Sequence, residues 1–180
     1  MLIIYVAKSL KIIIKCVILM HVLICNIMEV IFMIALGADH GGYNLKKEIK
    51  KYFDEKEIKY WDYGTDYAAR TDYPIYAEKV AKGIQNKECD SGILICKSGA
   101  GMTVTANKFK GIRAAVAMNE EMAKSIKADD DINILVIPAE YLKLTKVIAI
   151  IRVWIGTEFK KGRYADRVHM IENIEKREMK

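Results

Sequence analysis

From Met33 onward, short apolar runs bounded by glycine or aspartate alternate with longer amphipathic segments. The runs Met33–Gly37, Ile58–Tyr63, Gly92–Cys96, Arg113–Ala117 and Asn133–Ile137 read as strands, being too short for helices and set off by turn residues. Between them, Tyr43–Asp54, Tyr73–Gln85, Met102–Phe109, Glu120–Lys127 and Tyr141–Gly156 are expected to be helical, and a last charged helix is expected over Arg163–Arg177. Two helix starts carry local signals. Asp72 precedes Tyr73-Pro74, an N-cap followed by an early proline, and Asn119 precedes Glu120-Glu121, which sets acids at the positive end of the helix dipole. Five strand–helix units in this order predict an α/β fold: a Rossmann-like three-layer sandwich with a five-stranded parallel sheet and a C-terminal helix. In such sheets ligands bind at the carboxyl ends of the strands. No internal repeat or low-complexity tract interrupts the pattern.

The pattern fails only before Met33. Cys16 to Leu36 is almost wholly apolar, broken by His21, Asn26 and Glu29, with lysines in front. Read alone it resembles a signal peptide or a marginal membrane helix. Against that, no A-x-A-like cleavage site precedes Met33, and the run continues directly into the first predicted strand. Residues 1–32 are therefore expected to be an apolar extension outside the functional domain, which spans 33–180 and works from Met33 or Met28, with no membrane partner.

A chain of 180 residues suits one domain with a full core. The net charge is +6, of which Lys8, Lys11 and Lys15 against Glu29 contribute +2 and leave +4 for the remainder. That balance suits an anionic small molecule. Lys46, Lys47 and Glu48 typify interspersed charges, the pattern of a solvated helix face and not of a nucleic-acid stripe. Cys16, Cys25, Cys89 and Cys96 make no CxxC pair and no zinc spacing, so a metal site is not expected, and a reducing compartment, the cytoplasm, fits better than a disulfide framework.

Two strand-end segments and the last helix carry candidate chemistry. Asp39-His40-Gly41-Gly42 follows the first strand, where the carboxylate and imidazole face either a ligand or, more plainly, a helix cap and solvent. Cys96-Lys97-Ser98-Gly99-Ala100-Gly101 follows the third strand and leads into a helix. Its backbone N–H groups can cradle an anion, and Cys96 is either a buried structural thiol or a base whose thiolate the helix start favours. Arg163 and Arg167, four apart on the last helix, share a face suited to bidentate phosphate binding or to plain solvation.

These segments, in this order, resemble a known family. Gly37-Ala38-Asp39-His40-Gly41-Gly42, Arg70-Thr71-Asp72-Tyr73-Pro74, Gly92-Ile93-Leu94-Ile95-Cys96, Thr105 through Ala114 (Thr-Ala-Asn-Lys-Phe-Lys-Gly-Ile-Arg-Ala) and Gly162-Arg163 with Arg167-Val168 are similar to type-B ribose-5-phosphate isomerases, whose relatives include galactose-6-phosphate isomerase subunits. The resemblance covers nearly all of residues 33–175. It implies an aldose–ketose isomerase of a small phosphorylated sugar, ribose 5-phosphate to ribulose 5-phosphate, that uses no metal or cofactor. Cys96 would move the proton through an enediolate, while Ser98 and the Gly99–Gly101 backbone would stabilise the oxyanion. Asp39 would bind sugar hydroxyls, and His40, Arg163 and Arg167 the phosphate, with Tyr73 and Asn107 also expected to line the substrate. The resemblance further implies a homodimer, or a dimer of dimers, with each site shared across the interface.

Three positions depart from the family pattern. Asp129 stands where a ring-opening histidine is usual, so Asp129 is expected to act as acid or base only if its surroundings raise its pKa. Glu140 stands where an arginine is common, and Lys97 where a glycine follows the cysteine. An extended backbone would point Lys97 away from Cys96, and a turn would bring its charge toward the thiol. The changes leave two other readings open: a sugar-phosphate-binding homologue or partner subunit with impaired catalysis, and an isomerase of a six-carbon sugar phosphate.

Overall fold

The five apolar runs pair into one sheet because each is flanked by a helix that returns the chain to the same edge. In the computed structural model, which describes residues 14–15 and 32–179, the strands are β1 (Met33–Ala38), β2 (Lys59–Asp62), β3 (Ser91–Cys96), β4 (Ala114–Val116) and β5 (Ile134–Pro138). The helices are α1 (Tyr43–Glu55), α2 (Tyr73–Gln85), α3 (Ala100–Ala106), α4 (Glu120–Asp130), α5 (Leu144–Ile155) and α6 (Arg163–Glu178). The strand order is β2-β1-β3-β5-β4, and every pairing is parallel. The chain divides into two units, Met1–Ile31 and Phe32–Lys180, and the sheet belongs wholly to the second. The choice of Met28 or Met33 as working start lies at or beyond the edge of the described residues.

Alternation along the central strands sorts the core into two layers. Ile34, Leu36, Ile93, Ile95, Leu135 and Ile137 face Phe53 of α1, Ala123 of α4 and Trp154 of α5. Their neighbours Ala35, Leu94, Cys96, Ile134 and Val136 face Tyr76 and Val80 of α2 and Met102 of α3. Strands buried on both faces need continuous apolar sequence, which β1, β3 and β5 have. Each buried isoleucine or leucine contributes about 1.5–3 kcal/mol, so a charge at Ile93 would break the sheet.

Local signals explain most element ends. The Asn119 side chain accepts the Met122 N–H at 2.8 Å, the cap expected from sequence. Asp72 occupies the cap position of α2 but its side chain makes no capping bond, and Pro74 sets the first turn. α3 starts two residues before the expected Met102 and stops at Ala106. α5 starts at Leu144 and not at Tyr141, because the Tyr141 N–H closes a turn onto Pro138 O at 3.1 Å. α4 is capped by Asp131, left-handed at φ 47°, whose carboxylate is gripped by Arg113 Nη2 at 2.7 Å and Lys127 Nζ at 3.0 Å. α6 buries Val168 and leaves Met170, Ile171 and Ile174 exposed. No described helix is long and apolar enough to cross a membrane.

Candidate active site

The strand order reverses between β1 and β3, and the loops leaving their carboxyl ends form the walls of a crevice. The loop after β1 lies so close to β3 that a Cβ on Gly42 would stand 2.7 Å from the Ile95 carbonyl carbon, which only glycine avoids. This approach fixes Asp39, buried on the same face as Cys96, with its Oδ1 accepting the Gly42 N–H at 3.1 Å. Next to it, His40 is exposed and held by Thr71. Its backbone N–H donates to Thr71 Oγ1 at 3.2 Å, and its Nδ1 lies 3.0 Å from Thr71 O and 3.2 Å from Thr71 N. One tautomer donates to the carbonyl and the other accepts from the amide. Either way the ring is fixed through Nδ1, and Nε2 is left to a ligand.

Across the crevice, Cys96 ends β3 with its thiol nearly buried. Gly99 takes the left-handed turn at φ 80° that starts α3, and its N–H donates to Cys96 Sγ at 3.2 Å. Burial pushes the Cys96 thiol up, and the Asp39 carboxylate adds to that; the N–H groups of Gly99, Met102 and Ser98 pull the other way and lose. The thiolate-favouring helix start expected from sequence is therefore outweighed by desolvation. Ser98 is exposed at the loop tip, its Oγ 3.4 Å from the Ala100 N–H. The Tyr73 ring rests on Gly101, where a Cβ would meet its carbons at 2.7 Å, so Tyr73 and the glycine loop form one wall. Cys96, Ser98, Gly99, Gly101, Tyr73, Asp39 and His40 thus share the carboxyl edge.

Lys97 follows β3 in a bend. The Ala139 N–H donates to Cys96 O at 2.9 Å, the last bond of the β3–β5 ladder, and the Glu140 N–H donates to Lys97 O at 3.1 Å within the turn that follows. The Lys97 stem lies against Gly41, with Cγ 3.1 Å from a Cβ built there, a position that also stands 3.3 Å from Asp39 Oδ1. The Lys97 ammonium reaches Glu140 Oε1 at 3.8 Å.

The remaining expected site residues lie elsewhere. Asn107 spends its amide on β4: Nδ2 donates to Ala114 O and Oδ1 accepts the Ala114 N–H, both at 2.8 Å. Asp129 lies in the last turn of α4, shortly before β5 begins, at the amino edge of the sheet, whereas Cys96 is at the carboxyl edge. Lys160 Nζ pairs with Asp129 Oδ1 at 2.8 Å, and this contact holds the Asp129 carboxyl below its ordinary value. The rise needed for acid catalysis is reversed. Arg163 and Arg167 lie on the same side of the fold as Asp129, their guanidinium carbons 5.0 and 5.8 Å from the Tyr164 ring centroid. Lys160 Nζ lies 5.0 Å from that ring and Arg163 Nη2 donates to its hydroxyl at 3.0 Å, which lowers the Tyr164 pKa.

The profile of the family described as Ribose/Galactose Isomerase matches residues 34–171. The chain belongs to this family. Ribose-5-phosphate isomerase B of Escherichia coli is 40% identical over 144 residues, 80% of this chain and 97% of that protein. The structure of Clostridium thermocellum ribose-5-phosphate isomerase B superposes with a TM-score of 0.80 at 41% identity, covering 81% of this chain and 99% of the other. That of the Mycoplasma genitalium ribose-5-phosphate isomerase B, with bound ribulose-5-phosphate, gives 0.77 at 34%, covering 81% and 97%. Within this ribose/galactose isomerase, two positioning residues were not singled out from sequence. Thr71 orients His40, and the signal was its place in the Arg70–Pro74 segment. Tyr164 gathers the two arginines, and an aromatic ring wedged between them in sequence was the signal.

Proposed function

We propose that this chain interconverts ribose 5-phosphate and ribulose 5-phosphate, with Cys96 carrying the proton. The observation that supports it most is the convergence of Cys96, the Ser98–Gly101 loop, Asp39 and His40 at one strand-order reversal in a ribose/galactose isomerase fold. With the aldose bound open, the Cys96 thiolate takes the proton from C2, and the electrons pass into an enediolate whose oxygens meet the N–H groups of the loop. The thiol returns the proton to C1, the hydroxyl proton moves from O2 to O1, and the ketose results. Asp39 orients hydroxyls beside Cys96, and His40 Nε2 offers a donor to an anionic end of the substrate.

The arginine pair belongs to this reading through a second copy of the chain. Asp129, Arg163 and Arg167 lie at the amino edge and Cys96 at the carboxyl edge, so a homodimer would complete each site from two chains, with residues 33–180 as the working domain. The exposed Met170, Ile171 and Ile174 of α6 give such a contact an apolar surface. A cytoplasmic setting fits Cys89 and Cys96, both free. One observation favours a narrower variant. Asp129 is an ion-paired carboxylate, so this chain would leave opening of the sugar ring to solution and act on the open form.

The test uses the full chain with ribose 5-phosphate in heavy water, followed by NMR. Turnover with deuterium entering the exchanging carbon, lost in Cys96→Ala, is the expected result. Turnover that survives Cys96→Ala would remove the thiol from the mechanism. Mixing Cys96→Ala with Arg167→Ala chains should restore activity if sites are shared, and two inactive partners that stay inactive together would refute the sharing.

A further inference from the structure

We infer that Lys97 is a further cation that adds to the affinity of the crevice for its phosphorylated substrate, beside His40 and the arginines of a second copy, and that Glu140 restrains it by competing for the same ammonium. The inference rests on the isomerase reading and adds a specificity-determining pair to it.

The argument begins with the backbone. Since the Glu140 N–H donates to Lys97 O at 3.1 Å, just past the last ladder bond of β3 and β5, the two side chains leave residues joined directly by their backbones. The stem of Lys97 is further fixed by Gly41, whose lack of a side chain makes its bed. The ammonium therefore sits between the loop that carries Asp39 and the turn that carries Glu140. Without it, this part of the rim would present two carboxylates to a dianion. At 3.8 Å, with both side chains more than half exposed, the pair is long and solvated, and such pairs open at little cost. A phosphate group entering the crevice competes for Lys97 with two charges against the one of Glu140. The two departures from the family pattern at 97 and 140 thus form one electrostatic unit, in which the residue after the cysteine carries the cation.

A double-mutant cycle tests this. Lys97→Met keeps the stem that packs on Gly41 and removes the charge. KM for ribose 5-phosphate should rise about fivefold, with kcat changing far less, as expected for one charge acting on a dianion from several ångströms away. Glu140→Gln should lower KM about two- to threefold in the parent chain and leave it unchanged in the Lys97→Met background. Added salt should shrink the difference between parent and Lys97→Met, and turnover of unphosphorylated ribose should not distinguish them. An unchanged KM in Lys97→Met overturns the inference. So does a Glu140→Gln effect of equal size in both backgrounds, because Glu140 would then act by its own repulsion. Should the parent chain show no turnover, the isomerase reading has failed separately, and the same cycle read as calorimetric affinity for ribulose 5-phosphate decides on Lys97.

Discussion

Lys46 is the most consequential charge in the described fold. It is 2% exposed, and its ammonium donates to both Asp62 oxygens at 2.8 and 2.9 Å and to Thr65 O at 2.8 Å. Those bonds tie α1 to the turn after β2 and, through Thr65 N–H on Ala38 O at 2.9 Å, to the root of the Asp39 loop. Asp62→Asn would keep the shape and leave the ammonium buried without a counter-charge. Breaking one side of such a pair costs about 3–5 kcal/mol, and Lys50, itself a cation, cannot replace a carboxylate. Urea unfolding at pH 7 is the assay: with a slope of about 2 kcal/mol/M, the midpoint should fall by about 1.5–2.5 M. Replacing both partners, as Lys46→Met with Asp62→Leu, should recover most of that loss. If Asp62→Asn shifted the midpoint by less than the double replacement, the buried-charge reasoning would be refuted. The parent chain adds a pH signature. Burial alone would raise the Asp62 carboxyl, but its bonds from Lys46 and Lys50 and the Gly64 N–H bring it below its ordinary value. A depressed carboxyl stabilises the fold above its unfolded pKa, near 4, and that contribution is lost as pH falls through the folded value.

Other outcomes follow from the site. With Cys96 raised by burial, alkylation by iodoacetamide and kcat/KM should both climb with pH to a midpoint above about 8.5, and a midpoint near 7 would contradict the desolvated thiol. Asn107→Ala should cost about 1–3 kcal/mol in unfolding experiments while leaving KM nearly unchanged, since both ends of its amide serve Ala114; a large KM change with intact stability would return Asn107 to the substrate. Asp129→His should speed turnover of ring-closed substrate relative to the open form, read as a shorter lag in stopped-flow traces, and no change would mean that opening is not slow.

Much of this was legible in the chain. All five strands and the amphipathic helices were set by apolar periodicity, because β1, β3 and β5 are buried on both faces and tolerate little else. The Cys96 and Asp39 loops were legible because glycines at 42 and 99 mark places where backbone must crowd or turn. What stayed hidden was pairing between distant residues. Periodicity cannot reveal that Asn107 feeds its amide to Ala114, that Lys160 claims Asp129, or that Lys97 meets Glu140. The sign of the Cys96 shift was hidden for a related reason: it depends on how completely the neighbouring elements exclude water, which no local motif encodes.

The contact of Gly42 with the backbone of Ile95 has a bearing on how this scaffold can change over generations. A wall made of main chain cannot be moved back by exchanging a residue, so this side of the crevice is closed to point mutation. Any drift toward a longer sugar has to be accommodated by Tyr73 and by the turn at 139–141, where side chains and loop length are free to vary. Libraries that seek a new substrate should be drawn there, and random changes around Gly42 will return mostly misfolded protein.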